Sequence, residues 1–296
     1  MNVDKLMEIL AIQTVSYDQF RMFARIIREI KSIKGCDFFV DNGNIYVTKG
    51  NSHRYPCIVA HMDTVHDISE DLTAVQIGQN IVGFNRASMR QAGIGGDDKV
   101  GVFIALECVR RFDDIKAVFF RDEETGCEGS YLANVSFFED CNFILQCDRR
   151  GCQDFVIEAS GIELSGPEFQ SAVEPFLDAY RYRMVTGQMT DVMALKDLGV
   201  GCSAANISCG YFNPHTEEEF VHLACVEHCL GLVVALISHL GHRHFPHEVT
   251  RSQQPDEPYP FWNGRSLRYC IDCWGENPAA NGYCDACNSY YELLIR

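Results

Sequence analysis

The sequence predicts an α/β fold with a mixed, mostly parallel central sheet flanked by helices, followed by a small cysteine-rich unit. Strand-like and helix-like segments alternate along most of the chain, an order that is typical of parallel sheets covered by helices. Three short segments are mostly apolar, as expected of strands that are buried on both faces. These segments are residues 56–60, 116–120 and 143–147.

The first elements are predicted to be two helices and a hairpin. Apolar residues recur at helical spacing before and after Ser16, which is a candidate cap between the two helices. Turn-forming residues at 41–44 separate strand-like segments at 36–40 and 45–47, which indicates a β-hairpin.

The later part of the chain continues the alternation. Further strands are predicted at 72–84, 155–162 and 204–208, and further helices at 93–111, 167–183 and from residue 190. Thr216 and Glu219 match a capping box, in which two side chains satisfy backbone N–H groups at the start of a helix. We therefore expect a helix that begins just after His215 and runs to about Leu240.

Composition divides the chain into three parts. Residues 1–241 carry the alternating pattern and are predicted to form one large domain. Prolines and polar residues break the pattern over 242–268, which indicates a linker. Residues 269–296 are predicted to form a separate small unit.

Charge and cysteine content narrow the class of protein. The chain has 296 residues, a formal net charge of -16 and a sequence pI near 5.0, so no basic face for nucleic acid is expected. The most apolar run, 230–240, is shorter than a bilayer requires, so no membrane span is expected. No signal-peptide pattern opens the chain, and we expect most of its 15 cysteines to be reduced in the cytoplasm.

Polar residues follow each of the three apolar strands. His61 and Asp63 follow the first, Glu123 and Glu124 the second, and Asp148 the third. Because the carboxyl ends of parallel strands meet at one edge of a sheet, we expect these side chains to cluster. Two-metal hydrolytic sites need such a set: a shared carboxylate, further His or carboxylate ligands, and a general base.

A glycine-rich stretch at 93–101 places Asp97 and Asp98 at the start of a helix. Two acids there can simply match the helix dipole, or one can bridge two cations. The other motifs also have ordinary explanations when taken singly. These are a buried histidine at His61, a solvated turn at Glu123–Glu124, a surface ion pair at Asp148–Arg149 and a cap-region residue at His215.

Together, order and spacing from about residue 5 to 240 resemble the co-catalytic zinc peptidase superfamily, which includes peptidase T, carboxypeptidase G2, the aminoacylases and the lid-less zinc aminopeptidases. The matching motifs are His61-x-Asp63, residues 95–101, residues 122–126, Asp148, Thr190-Asp191, residues 210–216 and Glu219. The resemblance implies a zinc-peptidase/phosphorylase-like fold over 1–241, as a dinuclear zinc hydrolase domain.

The resemblance also implies a role for each residue of the cluster. Asp97 would bridge two zinc ions, with cobalt or manganese as other candidate metals. His61 and Asp148 would complete one zinc site, and Glu124 and His215 the other. Glu123 would be the general base, Asp63 would orient His61, and the Asp97–Asp98 peptide would be cis.

One segment departs from the two-domain members of that superfamily. Residues 149–189 stand where those members carry an inserted lid domain, and the segment is too short for one. Groups that bind substrate must then come from elsewhere, with Tyr211, Arg149 and Arg150 as the candidates.

The C-terminal unit carries two Cys-x-x-Cys pairs, Cys270 with Cys273 and Cys284 with Cys287. This spacing indicates a four-thiolate structural zinc site that resembles a zinc ribbon, and a pair of disulfides or unrelated reduced thiols are the alternatives. Such a unit could support a protein partner or a homo-oligomer.

These observations favour a metal-dependent hydrolase that cleaves an amide bond near a peptide terminus, with an aminopeptidase as the first expectation. Its substrate would be a peptide or a small amide. A carboxypeptidase or an N-acyl amidohydrolase (deacylase) is the alternative within this class. A non-enzymatic metal-binding adaptor that acts through the zinc ribbon is the alternative outside it.

Overall fold

The computed structural model describes residues 1–69 and 71–249. Residues Met1–Glu248 form one compact unit. The predicted ribbon ligands Cys270, Cys273, Cys284 and Cys287 lie outside the described residues.

The described part of the chain alternates strands and helices. The strands are β1 (Cys36–Asp41), β2 (Asn44–Lys49), β3 (Tyr55–His61), β4 (Leu72–Ile77), β5 (Asn80–Asn85), β6 (Arg90–Ala92), β7 (Ile115–Phe120), β8 (Cys141–Arg149), β9 (Asp154–Ala159), β10 (Ile162–Glu163), β11 (Arg183–Gly187), β12 (Ala204–Ser208), β13 (Tyr211–Phe212) and β14 (Phe220–His222). The α-helices are α1 (Val3–Leu10), α2 (Phe20–Lys31), α3 (Gly96–Arg111), α4 (Glu128–Tyr131), α5 (Pro167–Ala179), α6 (Asp191–Asp197) and α7 (Leu223–Leu240).

The main sheet confirms the predicted α/β fold. Its strand order is β1-β2-β7-β3-β8-β12-β9-β10, with β11 beside β9. The four central strands β7, β3, β8 and β12 are parallel, and antiparallel pairs lie on both sides of them. Every residue of β3 and β7 is buried, as their apolar sequences predict. Helices α3 and α6 both pack against β3 and β8.

A second, antiparallel sheet joins β13, β14, β5 and β4, with β6 beside β5. The predicted strand region at 72–84 forms its β4–β5 pair. The predicted hairpin at 36–47 forms in the main sheet, and its turn residues Asn42 and Gly43 have φ values of 50° and 78°. Such positive values are those of the hairpin turn that Asn-Gly favours.

Two helix predictions are wrong in their extent. The helix predicted at 167–183 ends at Ala179, and Arg183–Gly187 instead pairs with β9 in parallel. The capping box at Thr216 and Glu219 does not form, because strand β14 intervenes and α7 begins only at Leu223. The Glu219 side chain is fully buried and bonds to a distant loop instead.

The predicted cap at Ser16 is also wrong. Helix α2 begins at Phe20 with Gln19 at its N-cap position. The Ser16 hydroxyl donates instead to Asp63 Oδ2 at 2.7 Å. A short polar side chain that could cap a helix is thus used in a contact between distant segments.

By length and composition, α7 is the helix among the described residues that could cross a membrane. It is longer than the apolar run predicted at 230–240. Half of the helix is buried inside the protein, and it packs against α5 and α3. Buried core helices pass the same test of length and composition.

Residues 242–248, which the sequence assigns to the linker, pack on the main body. Phe245 is 1 % exposed, and its ring lies 5.2 Å from that of Phe169. The Ser203 N–H donates to the Phe245 carbonyl, and the His247 N–H donates to the Gly201 carbonyl.

Candidate metal centre

The carboxyl ends of β3, β7 and β8 bring the predicted polar residues to one edge of the sheet, because these three strands are parallel neighbours. His61 is the last residue of β3, and Glu123 and Glu124 follow β7 after a short turn. Asp148 lies near the end of β8. Polar side chains that follow apolar strands therefore meet as predicted.

Asp97 reaches the same edge from the glycine-rich loop. Gly95 has a left-handed backbone with φ of 66°, and α3 begins with Asp97 and Asp98 outside helical geometry. The Asp97–Asp98 peptide is cis, as the resemblance implies. Asp98 points away from the cluster, since its carboxylate accepts the backbone N–H groups of His61 and Gly101 at 3.1 and 3.0 Å.

Two sets of three side chains share Asp97. The first set is His61, Asp97 and Asp148, and the second is Asp97, Glu124 and His215. His61 Nε2 lies 3.2 Å from Asp97 Oδ1 and 3.7 Å from Asp148 Oδ1. His215 Nε2 lies 3.5 Å from Asp97 Oδ2 and 3.1 Å from Glu124 Oε2. Within each set the candidate ligand atoms lie within 4.8 Å of one another.

The Asp63 carboxylate contacts three residues of the cluster. This buried carboxylate accepts the backbone N–H of Glu123 at 3.0 Å and that of Glu124 at 3.2 Å. It also lies 3.3 Å from His61 Nδ1, while its own carbonyl oxygen lies 3.1 Å from the same nitrogen. Asp63 thereby fixes the ring of one candidate ligand and the backbone of two other cluster residues.

Glu123 lies beside both sets without belonging to either. Its Oε2 is 3.9 Å from His61 Nε2, and its Oε1 accepts a hydrogen bond from the Cys127 thiol. Its side chain is almost buried, and it lines the cleft next to Asp97. A carboxylate in this place can reach a water molecule near the shared ligand.

Burial and charge shift the proton affinities of the cluster. Burial and the neighbouring Asp97 raise the pKa of Asp148 to about 8, and burial raises the pKa of Glu123 well above its usual range. Burial alone would raise the pKa of Asp97 too, but contacts with His215 and His61 lower it. Contacts with Asp97 and Glu124 raise the pKa of His215 to about 10. Without cations, the cluster therefore retains protons near neutral pH.

The donor set fits a pair of divalent cations. Each set combines one imidazole nitrogen with carboxylate oxygens, which suits zinc and, with lower preference, other first-row metals. Glu124 Oε1 is buried and makes no hydrogen bond among the described residues, so it offers a free acceptor. A bound cation would also favour the ionised forms of Asp148 and Glu123, whose pKa values burial raises.

A polar network supports Asp148, and two of its members, Gln146 and Asn206, were not among the site residues predicted from the sequence. Gln146 donates to Asp148 Oδ2 at 3.1 Å and to Asp191 Oδ2 at 3.1 Å. Asn206 accepts the Asp148 N–H at 2.9 Å, and Thr190 donates to Gln146 at 2.8 Å. A usable signal was present, because Gln146 and Asn206 are polar residues between apolar neighbours inside buried strands.

A cleft of about 630 Å³ opens over the cluster. Arg149, Arg150 and Tyr211, the candidate substrate-binding residues, all line it. The Tyr211 hydroxyl donates to Asp148 Oδ1 at 3.1 Å, and Arg149 lies 3.6 Å from Asp154 Oδ2. Residues 149–189 form α5 and strands of the main sheet within the same compact unit, and residues 186–189 line the cleft.

The chain is similar to known proteins in its three-dimensional structure. No protein-family model matches the chain. No curated protein matches it either.

Three solved structures illustrate the similarity. Aminopeptidase PepT from Bacillus cereus has a TM-score of 0.67 and 13 % identity, covering 80 % of this chain and 97 % of that chain. A tripeptidase from Staphylococcus aureus has a TM-score of 0.65 and 13 % identity, with coverage of 80 % and 97 %. The TET1 peptidase from Pyrococcus horikoshii has a TM-score of 0.58 and 18 % identity, with coverage of 79 % and 98 %. The chain therefore has the α/β fold of these solved peptidases.

Proposed function

We propose that this protein is a dinuclear metal-dependent hydrolase that cleaves an amide bond near a peptide terminus, with aminopeptidase activity as the first candidate. One observation carries the proposal: two three-residue ligand sets share Asp97, and the Glu123 carboxylate lies beside them in an open cleft. Asp97 is the shared ligand, with His61 and Asp148 on one side and Glu124 and His215 on the other.

Two zinc ions, or cobalt or manganese in their place, would act as Lewis acids on the substrate carbonyl and lower the pKa of water. Glu123 accepts a proton from the attacking water and then donates it to the nitrogen of the leaving amine. Asp63 keeps Glu123 in place through its backbone N–H and orients the His61 ring. Tyr211, Arg149 and Arg150 line the cleft. Their position supports a role in binding the substrate.

The names of the structural neighbours favour an aminopeptidase, since those compared above are an aminopeptidase, a tripeptidase and a TET1 peptidase. The acidic cluster also suits a substrate with a free ammonium group. One observation favours a carboxypeptidase or N-acyl amidohydrolase instead, because Arg149 and Arg150 line the same cleft and could hold a carboxylate.

The cysteines and the structural neighbours also bear on the cellular compartment and the oligomeric state of the protein. The cysteines of the described residues are free thiols, which supports a reducing compartment such as the cytoplasm. The TET1 peptidase can assemble into a tetrahedron or a large octahedral shell. By analogy, we expect a homo-oligomer or a protein partner, held through a structural zinc on the four cysteines of 269–296.

Substitution of Glu123 by Gln tests the proposal. We expect turnover of aminoacyl, dipeptide or N-acyl substrates with zinc, cobalt or manganese to fall by about 100- to 10,000-fold, since the general base is lost. Metal content should stay unchanged, because Glu123 belongs to neither ligand set. Glu139→Gln, at an exposed position, is the matched control.

Two results would contradict the proposal. Retained turnover in Glu123→Gln would remove Glu123 from the reaction. Metal binding by the wild-type protein without turnover of any substrate would indicate the non-enzymatic adaptor.

A further inference from the structure

Glu219 is a fully buried carboxylate behind the candidate metal centre. It lies four residues after His215 in sequence, yet its hydrogen bonds reach the residue before α3 and the start of that helix. Its Oε2 accepts the backbone N–H of Gly95 at 2.7 Å, and its Oε1 accepts that of Asp97 at 3.2 Å. The shared ligand is therefore bonded through its own backbone to the segment that carries His215.

These contacts supply hydrogen-bond acceptors to backbone N–H groups at the start of α3. The first N–H groups of a helix have no acceptor within the helix, and a carboxylate there also matches the helix dipole. Because Asp97 departs from helical geometry, with φ of -77° and ψ of 108°, its orientation is set by local contacts. Glu219 supplies the contact on the N-terminal side of Asp97, and the Asp98 carboxylate anchors the C-terminal side.

His66 completes the arrangement. Its Nε2 donates to Glu219 Oε2 at 2.7 Å, and its ring fills the space beside Gly93. A Cβ atom on Gly93 would lie 2.0 Å from the His66 ring, so a larger residue there would displace the ring. Strands β13 and β14 also pack closely against Gly96. A Cβ on Gly96 would lie 2.7 Å from Cβ of Tyr211 in β13 and 2.8 Å from Cγ2 of Val221 in β14.

We infer that Glu219 is a positioning residue that sets the orientation of Asp97 toward both metal ions, with His66 holding the Glu219 carboxylate. The inference rests on the proposed function, because it assumes that Asp97 binds metal. Glu219 acts through hydrogen bonds to the backbone of Gly95 and Asp97 and belongs to neither ligand set. Its loss would change the geometry of the ligand that both sites share.

Glu219→Gln tests this role. The variant keeps the shape and one acceptor, but its amide NH₂ group would face a backbone N–H donor. We expect the affinity for zinc, measured by competition with a chromophoric chelator, to fall by about 10- to 100-fold, as for other residues that orient metal ligands. The visible spectrum of the cobalt-loaded protein should change as well, because it reports on ligand geometry. Glu217→Gln removes the same charge at an exposed position two residues away and should leave both readouts unchanged.

A purely structural role gives a different result. If Glu219→Gln lowers the thermal stability of the metal-free protein but leaves zinc affinity and the cobalt spectrum as in the wild type, the inference is overturned. If Glu219→Gln fails to fold, His66→Gln, at a partly exposed position, serves as the test variant. That variant should weaken zinc binding by a smaller factor, and unchanged binding would overturn the inference. A wild-type protein that binds no metal at the cluster would instead refute the proposed function.

Discussion

Asp63 Oδ1 lies 3.3 Å from Nδ1 of His61, so this carboxylate faces the ring nitrogen opposite the one that points to Asp97. A carboxylate in that place fixes the proton on Nδ1 and leaves the Nε2 lone pair for a metal ion. The same carboxylate receives the N–H groups of Glu123 and Glu124. The orientation of the candidate ligand His61 and the placement of the proposed base Glu123 thus depend on one side chain.

Asp63→Asn should therefore impair both functions. An asparagine keeps the shape but replaces one acceptor oxygen with an NH₂ donor, which would oppose a backbone N–H. We expect zinc affinity to fall by about 10- to 100-fold, and turnover to fall with it. Chelator competition and steady-state kinetics measure the two effects. Asp67→Asn, at an exposed position, should resemble the wild type, and equal behaviour of both variants would contradict the assigned role.

The metal-free protein should lose stability as pH rises from about 6 to about 8. Burial and Asp97 raise the pKa of Asp148 to about 8, so the folded state holds a proton that the unfolded state has released. Contacts with Asp97 and Glu124 raise the pKa of His215 to about 10, so its stabilising contribution is complete below about pH 6.5 and lost as pH rises through 10. In this window both groups bind more protons in the folded state than in the unfolded state, so they give the same sign.

Urea unfolding of chelator-treated protein measures this dependence. The midpoint should be lower at about pH 8 than at about pH 6, and saturating zinc should reduce the difference because cations replace the protons. A midpoint of the metal-free protein that rises over this range would contradict the assignment of the cluster.

The two arginines of the cleft should distinguish the candidate substrates. Arg150 is exposed at the rim, and Arg149 lies beside Asp154. If they bind a substrate carboxylate, Arg150→Gln should raise KM for a peptide with a free C-terminus by about 10-fold or more, the size of a lost charge-assisted hydrogen bond. KM for the C-terminal amide of the same peptide should change little.

The control for this experiment is Arg243→Gln, an arginine outside the cleft that pairs with Glu168. An equal effect of Arg150→Gln on the free acid and the amide would refute carboxylate recognition. It would leave the hydrolytic proposal intact and favour recognition of the amino end.

Phe245→Ala should destabilise the main body although its position falls in the predicted linker. The ring is 1 % exposed and packs against Phe143 and Phe169. Truncation of such a buried aromatic costs about 3–5 kcal/mol of unfolding free energy. Denaturant unfolding measures the loss, and His242→Ala at an exposed neighbouring position is the control. A loss equal to that of the control would place residue 245 outside the cooperative unit.

The positions of most cluster residues could be predicted from local sequence. His61, Glu123 and Asp148 each follow or end an apolar strand, and parallel strands bring such ends together. The Asn42–Gly43 turn could also be predicted from local sequence. Asn-Gly is favoured in hairpin turns that need positive φ at two successive residues, and both residues have positive φ here. These features depend on short stretches whose local preference and final environment agree.

The misassigned features depend on partners that are distant in sequence. The Thr216–Glu219 pattern is locally a capping box, but bonds from Glu219 to Gly95 and Asp97 prevail. The apolar residues after Ala179 continue a helical period, yet Arg183–Gly187 pairs with β9. No local pattern reveals such pairings, because the competing contact lies about 30 residues away in one case and more than 100 in the other.

The zinc content of the full chain tests most directly whether Asp97 belongs to two metal sites. Elemental analysis after dialysis should find about three zinc ions per wild-type chain, two at the cluster and one at the cysteines of 269–296. Asp97→Asn should retain about one, since both cluster sites lose a ligand, and Asp113→Asn, at an exposed position, should match the wild type. Equal zinc content in the wild type and Asp97→Asn would contradict the shared-ligand assignment.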